Sequence, residues 1–384
     1  MIINKAYKYR IYPTKEQTIF LNKTFGSCRF IYNKMLEYRI NDYKENKDKE
    51  NYKFKKLTVT EVKKQFSFLT EVNTDVLGYE SKFLDKAYAN FFRNPQQNGF
   101  PKFKSKYDAP SFSDKGRALN FSSDNKFITI PKMRKSPIKI IMHRPLEGRP
   151  VTFTISRTPS QEYYISIQCE VEIIDYVLPT MNQNIGIDLG LTDFAILSDG
   201  TKIPNPRFLL ESAKKLAKEQ RKLSKKSEDA KKNGKKLEDS KNYQKQKLKV
   251  AKIHAKVSRQ RQYFIDVLTK QLVEKYDVLA LETLKIREMM QNKELSRSIA
   301  DVSWYDFVAK LKYKADWNGR IVVQIDQFFP SSQLCSHCGH NDGKKSLDIR
   351  EWICSSCGTH HDRDINASIN ILNEGLRLVN EKGE

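Results

Sequence analysis

The chain has 384 residues, too many for one ordinary domain, and 39% of them are hydrophobic, enough to build two or three cores. This composition excludes an intrinsically disordered protein. The formal net charge of +23 favours a polyanionic partner, because each phosphate that a cation neutralises releases condensed counterions. We expect that partner to be nucleic acid, with an anionic membrane surface as the alternative.

Two further features of the sequence concern the compartment. It contains no run of about 18 apolar residues, which a transmembrane helix would need, and it begins without the apolar stretch of a signal peptide. We therefore expect an intracellular protein, which in a prokaryote would be cytoplasmic and associated with the nucleoid. Four of the six cysteines lie in one short C-terminal segment, and inside a cell such a cluster indicates a metal site.

The first half of the chain is predicted to contain a strand, then helices, then further strands. Residues 1–12 alternate as a strand would, and Thr14 with Gln17 resembles the capping box of a helix. Apolar residues then recur at helical spacing to about residue 92, and residues 94–99 are typical of a turn. From about residue 100, short apolar runs separated by proline and glycine predict a small β-barrel or sandwich that ends near Leu178-Pro179. The runs are Phe127–Ile130, Ile138–Ile141, Val151–Ile155 and Tyr163–Cys169.

The second half has the pattern of an α/β domain over residues 181–330. Residues 185–199, 278–282 and 321–325 are apolar and strand-like, and the long charged stretch between the first two predicts a helical hairpin. Between Lys214 and Arg261 there are 19 Lys/Arg and 5 Asp/Glu, a net of +14. A hairpin that was merely soluble would carry balanced charge, so we expect contacts with a phosphate backbone. We assign this contact to Lys214, Lys215, Lys218, Arg221, Lys222, Lys225, Lys226, Arg259 and Arg261.

Carboxylates occupy special positions in three of these segments. Asp188 lies in an apolar strand between Gly186 and Gly190, which share its face and would let another backbone or a nucleic-acid strand approach closely. Glu282 ends an apolar strand, and Asp364 precedes the last predicted helix. Taken singly, each acid could be a turn former, an ion-pair partner or a helix cap. Together they are what a two-metal phosphodiesterase needs, because Mg²⁺ prefers oxygen ligands.

The clustered cysteines form two knuckles, Cys335–Cys338 and Cys354–Cys357, with fifteen residues between them. This spacing fits tetrahedral zinc. Because four thiolates already satisfy the metal, we expect a structural site rather than a catalytic one. For the same reason we expect none of the nearby histidines, at positions 337, 340, 360 and 361, to be a zinc ligand.

The order of these motifs resembles the TnpB family, which comprises nucleases encoded by bacterial and archaeal insertion sequences and is similar to the type V CRISPR effectors. The resemblance covers almost the whole chain. In the first half it rests on residues 8–13, 25–33, 90–93 and 100–106. In the second half it rests on Gly186–Gly190, the lysine-rich hairpin, Leu281-Glu282, the two knuckles with residues 332–334 before them, and Asp362–Ala367.

The resemblance implies a multidomain α/β fold: an RNase H-like RuvC nuclease domain with an inserted zinc ribbon, an N-terminal helical recognition bundle and a β-barrel wedge. We therefore assign residues 1–12 and 94–180 to the wedge, 13–93 to the recognition domain and 181–330 to the nuclease domain. The basic helical hairpin would occupy residues 211–270, the zinc ribbon 331–360, and the final RuvC motif with its helix 361–384.

The resemblance also implies the roles of individual residues. By their positions in the motifs, Asp188, Glu282 and Asp364 would be the catalytic residues and would ligate a pair of Mg²⁺ ions, with Asp188 shared between them. Asp362 is the less favoured acid of the last motif. The residues that would bind structural Zn²⁺ are Cys335, Cys338, Cys354 and Cys357.

The implied activity is that of a transposon-encoded, RNA-guided DNA endonuclease. Members of the family bind an RNA made from the end of their own element, read a short motif beside the target and cut double-stranded DNA. We expect a monomer. Two alternatives stay open: a guided DNA-binding repressor that no longer cuts, and a DNA strand transferase on the same scaffold. The repressor predicts the loss of at least one carboxylate, whereas the transferase needs the same three.

Overall fold

The computed structural model describes residues 2–49, 52–172, 180–292, 295–346 and 348–382. It contains two compact units, residues 1–174 and 175–384, which we call the N-terminal unit and the C-terminal unit. The boundary expected at Leu178-Pro179 lies outside the described residues. The finer division into wedge, recognition domain, nuclease domain and ribbon stays a prediction. Among the described helices, none combines the length and the hydropathy that crossing a bilayer would require.

Three of the α-helices described in the N-terminal unit begin at side-chain caps, from Thr14, Thr58 and Asn94. The Thr14 hydroxyl accepts the Gln17 N–H and the Gln17 side chain accepts the Thr14 N–H, which is the capping box that the sequence predicted. Residues 94–99, expected as a turn, instead contain one helical turn, because the Asn94 side chain accepts the N–H of Gln97. The helices are α1 (Lys15–Asn46), α2 (Val59–Gln65), α3 (Thr74–Arg93) and α4 (Pro95–Asn98), with 3₁₀ helices at Ser67–Glu71 and Gly116–Ala118.

One antiparallel sheet of seven strands completes this unit. The strands are β1 (Ile2–Tyr12), β2 (Ser111–Lys115), β3 (Asn120–Phe121), β4 (Phe127–Thr129), β5 (Ile138–Ile141), β6 (Arg149–Arg157) and β7 (Tyr163–Glu172). Their order is β2-β6-β7-β1-β5-β4-β3, so the first strand of the chain lies between two later ones. Alternate residues of β1, namely Tyr7, Tyr9 and Ile11, are buried in the same core as the inner face of α1.

The C-terminal unit is built on a mixed sheet of five strands. They are β8 (Asn184–Leu189), β9 (Asp193–Leu197), β10 (Lys202–Pro204), β11 (Val278–Glu282) and β12 (Ile321–Ile325). The order is β10-β9-β8-β11-β12, with β10, β9 and β8 antiparallel and β11 parallel to both β8 and β12. The parallel strands follow long crossover connections, as parallel pairing requires.

Helices cover both faces of this sheet. They are α5 (Phe208–Lys232), α6 (Lys241–Lys275), α7 (Ile286–Met289), α8 (Ser296–Val302), α9 (Trp304–Trp317) and α10 (Arg363–Lys382). On one face, apolar residues of β8, β9 and β11 form a core with α6, α8 and α9. On the other face α10 packs against β8, β11 and β12, with Ile371 buried beside Ala280. A separate two-stranded hairpin, β13 (Glu351–Ile353) with β14 (His360–Asp362), precedes α10.

Gly186 explains how closely α10 approaches the sheet. A Cβ at this position would lie 2.0 Å from the carbonyl oxygen of Ser368 on α10, a distance that no side chain could accept. The sequence predicted a close approach at this face by a backbone or a nucleic-acid strand. At Gly186 the neighbour is the backbone of α10.

Candidate active site and metal centre

Asp188 and Glu282 lie beside each other where two parallel strands end. The register of β8 and β11 pairs Gly186 with Ala280 and Ile187 with Leu281, so Asp188 and Glu282 are the next pair along. Both acids belong to the face of the sheet that α10 covers, and α10 carries Asp364 in its first turn. The three acids predicted from separate segments therefore converge at one end of the sheet.

The electrostatic consequence of this convergence is largest at Asp188. Its side chain keeps part of its surface exposed, yet protein atoms surround the carboxylate closely. Burial first, and then the negative charges of Glu282 and Asp364, raise the pKa of Asp188 to about 8. The Leu189 N–H and the charge of Arg363 oppose the shift without cancelling it. The site thus has an excess of negative charge, and a cation bound between the oxygens would relieve it.

Asp362 and Asp364 have different partners. One carboxylate oxygen of Asp362 accepts the N–H groups of Asp364 and Ile365, each at 3.0 Å, and so caps α10. The other oxygen lies 2.7 Å from Lys202 Nζ. The capping role that the sequence raised for an acid of this motif therefore belongs to Asp362. The negative charge of Asp364 helps to raise the pKa of Asp188, and its carboxylate lies 3.1 Å from Nη1 of Arg350.

Several residues near these acids were not found by sequence reasoning. Ser331 donates a hydrogen bond from its hydroxyl to Oε1 of Glu282. The side-chain amide of Asn370, buried on α10, donates to the backbone oxygens of Ser331 and Leu334, each at 2.8 Å. One turn earlier, Asn366 also donates to Leu334 at 2.7 Å. The i, i+4 spacing of two asparagines in an apolar helix was the available signal, because buried amides need partners.

The four predicted cysteines form a compact group. Their sulfur atoms all lie within 4.8 Å of one another, with Cys335 Sγ 3.6 Å from Cys357 Sγ and Cys338 Sγ 3.7 Å from Cys354 Sγ. Zinc–sulfur bonds of about 2.3 Å in a tetrahedron imply sulfur–sulfur distances of about 3.8 Å. The distances and the donor set therefore fit Zn²⁺. Among the residues that the structure describes, the three carboxylates do not form so tight a group, and Arg350 holds Asp364.

The turns after the knuckles explain the glycine that follows each one. Gly339 and Gly358 have φ angles of +74° and +70°, a region that favours glycine. The N–H of each glycine donates to the carbonyl of the first cysteine in its knuckle, at 2.8 and 2.9 Å. His361 is buried nearby with Nε2 3.0 Å from Cys335 Sγ, so its ring can donate a hydrogen bond to a thiolate without being a ligand.

The basic residues of the predicted hairpin lie on α5 and α6. Those of α5 are mostly exposed, although Lys222 lies 2.9 Å from Glu219. Arg261 differs from the others. Its Nη2 lies 2.6 Å from Asp301, whose second oxygen accepts the Leu209 N–H, so this arginine ties α6 to α8. The predicted contact residues that are exposed on α5 are Lys214, Lys215, Lys218, Arg221, Lys222 and Lys225.

Three family profiles match the chain. Residues 166–293 match a family described as a probable transposase, and residues 304–371 match the Cas12f1-like TNB domain. Residues 1–48 match a family described as a helix-turn-helix domain. In the structure, the described residues of this last segment form β1 and one long helix, α1, rather than two short helices.

The relatives of the chain match it over nearly its whole length. A Streptomyces pristinaespiralis protein named "Putative RNA-guided DNA endonuclease" is 37% identical over 97% of this chain and 90% of its own. The Escherichia coli K12 protein "Putative RNA-guided DNA endonuclease InsQ" is 27% identical over 98% and 93%. TnpB-like protein L79 of Acanthamoeba polyphaga mimivirus is 24% identical over 98% and 74%.

A solved structure, described as the cryo-EM structure of the Cas12f1-sgRNA-target DNA complex, has the same fold. It covers 97% of this chain and 99% of its own with a TM-score of 0.56 and 15% identity. The likeness confirms the multidomain α/β class, with a RuvC-like domain and a zinc ribbon, that the motifs implied. With 37% identity to a relative over nearly the full length of both proteins, the chain belongs to the TnpB family.

Proposed function

We propose that the chain is a metal-dependent, RNA-guided DNA endonuclease encoded by a transposon. Two of the relatives are named as putative RNA-guided DNA endonucleases and match over at least nine-tenths of both chains. The observation that carries the proposal is the convergence of Asp188, Glu282 and Asp364 at one end of the mixed sheet. Three carboxylates from distant segments form a repulsive site that a bound cation would stabilise.

The reaction is hydrolysis of a phosphodiester bond, and the roles of the residues follow from their positions. A pair of Mg²⁺ ions would supply charge stabilisation for the attacking and leaving oxygens. Asp188, whose pKa both other acids raise, would be shared between the cations. Glu282 is oriented by the hydroxyl of Ser331, and Asp364 would exchange the guanidinium of Arg350 for a cation. The close docking of α10 on Gly186 fixes the height of Asp364 above the sheet.

The parts around the site would position nucleic acid. The zinc ribbon would be structural, since four cysteines complete the ligands of the metal. It carries Arg350 between its knuckles and is anchored at Leu334 by Asn366 and Asn370 of α10. The exposed lysines of α5 would bind phosphates of the guide RNA or of the target DNA. We propose that the guide derives from the element that encodes the protein, and that the protein acts as a monomer at the nucleoid.

The proposal is tested by plasmid cleavage. The protein would be purified with an RNA co-expressed from its element and incubated with guide-matched and mismatched plasmids, with Mg²⁺ or with EDTA. We expect metal-dependent cutting at the matched site. Asp188→Ala should lower the rate by at least about 10³-fold, because several kcal/mol of transition-state stabilisation pass through its metals.

The same assay separates the alternatives. Guided binding without cutting by the wild-type protein would contradict the proposal and favour a repressor. Joined strands in place of free ends would favour a strand transferase. Cutting that persists in EDTA would contradict the two-metal assignment, and cutting that is unchanged by Asp188→Ala would contradict the assigned residue.

A further inference from the structure

A groove runs along α1 in the N-terminal unit, whereas the three acids belong to the C-terminal unit. The inner face of this helix is buried in the core, while Gly26, Arg29, Phe30, Asn33, Lys34 and Glu37 form a stripe along another face at helical spacing. Phe68 and Phe103 close the groove, whose volume is about 510 Å³. The stripe is about 17 Å long, given a rise of 1.5 Å per residue. The groove therefore belongs entirely to the N-terminal unit.

Part of the groove is lined by the segment that contains Phe103 and Lys104, which Asn33 holds in place. The side-chain amide of Asn33 donates to the carbonyl of Lys104 at 2.9 Å and accepts the Lys104 N–H at 2.7 Å. The ammonium of Lys104 pairs with Glu80, which is 1% exposed, and lies over the Tyr32 ring at 4.3 Å. This segment is thus fixed at Lys104, the residue that follows Phe103. The Phe103 ring nevertheless stays 54% exposed.

An aromatic cluster also lines the groove. Phe30 packs edge-on against Phe66 and Phe68, with ring centroids 4.8 and 5.1 Å apart. Phe68 keeps 46% of its surface exposed at the rim of the groove. Two partly exposed aromatic rings therefore line one groove, which suits a flat apolar partner that can stack.

The charge of the groove comes from Arg29. Lys34 and Glu37 neutralise each other at 2.8 Å. The guanidinium of Arg29 is half-buried and makes no hydrogen bond or ion pair with any residue that the structure describes. A partly buried cation without a partner, beside exposed aromatic rings, suits an anionic ligand that also carries a planar ring.

Gly26 supplies an independent observation. It lies in the interior of α1, where glycine costs stability relative to alanine, and its φ angle is not positive. A Cβ at Gly26 would meet no atom within 4 Å, so nothing within the described structure requires glycine there. The missing side chain opens the floor of the groove, which a closely approaching backbone would use.

We propose that this groove binds a nucleotide in an unpaired stretch of nucleic acid. Its phosphate would pair with Arg29, its base would stack on Phe103 and Phe68, and its sugar would pass over Gly26. The inference rests on the proposed function for its choice of partner, because a guided nuclease handles unpaired RNA and displaced DNA strands. The guide and the displaced target strand share this chemistry, and binding measurements with RNA and with DNA distinguish them.

The test measures binding of labelled ten-nucleotide DNA and RNA strands to the full-length protein in EDTA, where nothing is cut. Phe103→Ala should weaken binding about 5- to 150-fold if a base stacks there. Arg29→Gln should reduce the salt dependence of binding by about one phosphate contact. Because a protein of this charge binds strands at other places too, Phe103→Trp supplies a local readout. Quenching of its added fluorescence by the strand is expected beyond that of the three native tryptophans.

Gly26 and Gly78 form a matched pair. Both lie in the interior of a helix with open space where a Cβ would stand, but Gly78 does not line the groove. Alanine at either site should raise Tm by about 1–4 °C. Gly26→Ala alone should weaken strand binding, because its methyl group enters the groove. A variant that is more stable yet binds less cannot owe the loss to misfolding.

The outcomes are separable. Wild-type binding in Phe103→Ala and Gly26→Ala, with no quenching at position 103, would overturn the proposal even if guided cleavage is intact. Losses confined to RNA strands identify the guide as the occupant, and losses confined to DNA identify the displaced strand. Losses in a protein that shows no guided cleavage would support the groove while the proposed endonuclease fails.

Discussion

Asp188 carries a large electrostatic cost in the metal-free protein. Its pKa of about 8 lies well above the value of about 3.9 that an aspartate has in an unfolded chain. A group with a raised pKa stabilises the fold fully below the unfolded value and loses that contribution as pH rises towards the folded value. The metal-free fold should therefore lose stability from this residue between about pH 4 and pH 8.

We predict that Asp188→Asn stabilises the protein in EDTA. The neutral amide removes the cost of the charge, which at pH 7 is at most about 4 kcal/mol. Thermal unfolding in EDTA should show an advantage of the variant over the wild type that grows from pH 5 to pH 8. Mg²⁺ should reverse it by stabilising the wild type more than the variant. An advantage that is constant across this pH range would contradict the raised pKa.

The two acids of the last motif should respond differently to the same change. Asp362→Asn removes the ion pair with Lys202 and the negative charge at the start of α10 but keeps an oxygen that can cap the helix, so we expect a loss of at most about 1 kcal/mol in the free energy of unfolding and retained cleavage. Asp364→Asn should abolish cleavage with little loss of stability. Thermal unfolding and plasmid cleavage of both variants check the pair. A cleavage defect in Asp362→Asn equal to that of Asp364→Asn would contradict the assignment.

At the scale of residues, the sequence predicted those whose role depends on their own neighbours in the chain. Asp188 and Glu282 could be recognised because a carboxylate in an apolar strand costs free energy unless it is paired or binds a metal. Ser331 and Arg350 were not, because each acts on an acid that only the tertiary structure brings near. The sequence raised an N-cap for the acidic motif but could not choose between Asp362 and Asp364, since both acids lie close to the start of the helix.

The exposed cations of the hairpin of α5 and α6 should determine how strongly it binds nucleic acid. We predict that changing Lys214, Lys218, Arg221 and Lys225 to glutamine lowers affinity for guide RNA or target DNA and its salt dependence. The slope of log K against log salt should fall by about 0.7–0.9 for each phosphate that the variant no longer neutralises. Binding titrations between about 50 and 200 mM salt would measure this slope.

A charge-matched control separates position from net charge. Lys44, Lys47, Lys53 and Lys55 are also exposed, and their change to glutamine removes the same total charge. An equal loss of affinity in the control would show that overall charge, and not the hairpin, governs binding. Arg261 is left out of both sets, because its pairing with Asp301 is internal.

Elements were predictable where local pattern decides them. The strands at residues 127–130, 138–141, 163–169, 278–282 and 321–325 were found nearly in place, because alternation or an apolar run marks them. The short helix α4 was missed, since its existence depends on one side-chain cap from Asn94. The predicted helical hairpin was also found, with α5 ending at Lys232 and α6 beginning at Lys241.

At the scale of the whole molecule, motif order was informative and geometry was not. The sequence contained the three acids and the two knuckles in an order that resembles one family. It could not show that β8 lies between β9 and β11, which is what places Asp188 next to Glu282. Sheet order depends on long crossover connections, and a single sequence does not encode them in any local pattern.

The fit of α10 against the sheet also has a temporal consequence. Gly375 also lies close to β11, and an added methyl there would approach Ala280 Cβ to 2.4 Å. The helix can therefore dock on the sheet only with glycine at both positions, 186 and 375. A ribosome adding about 5–20 residues per second needs about 10–35 s to pass from Asp188 to Asp364. Throughout that interval the nascent chain has at most two of the three acids of the proposed metal site. Under the proposed function, nuclease activity would therefore be withheld until translation has passed the last acid and α10 has docked on the sheet.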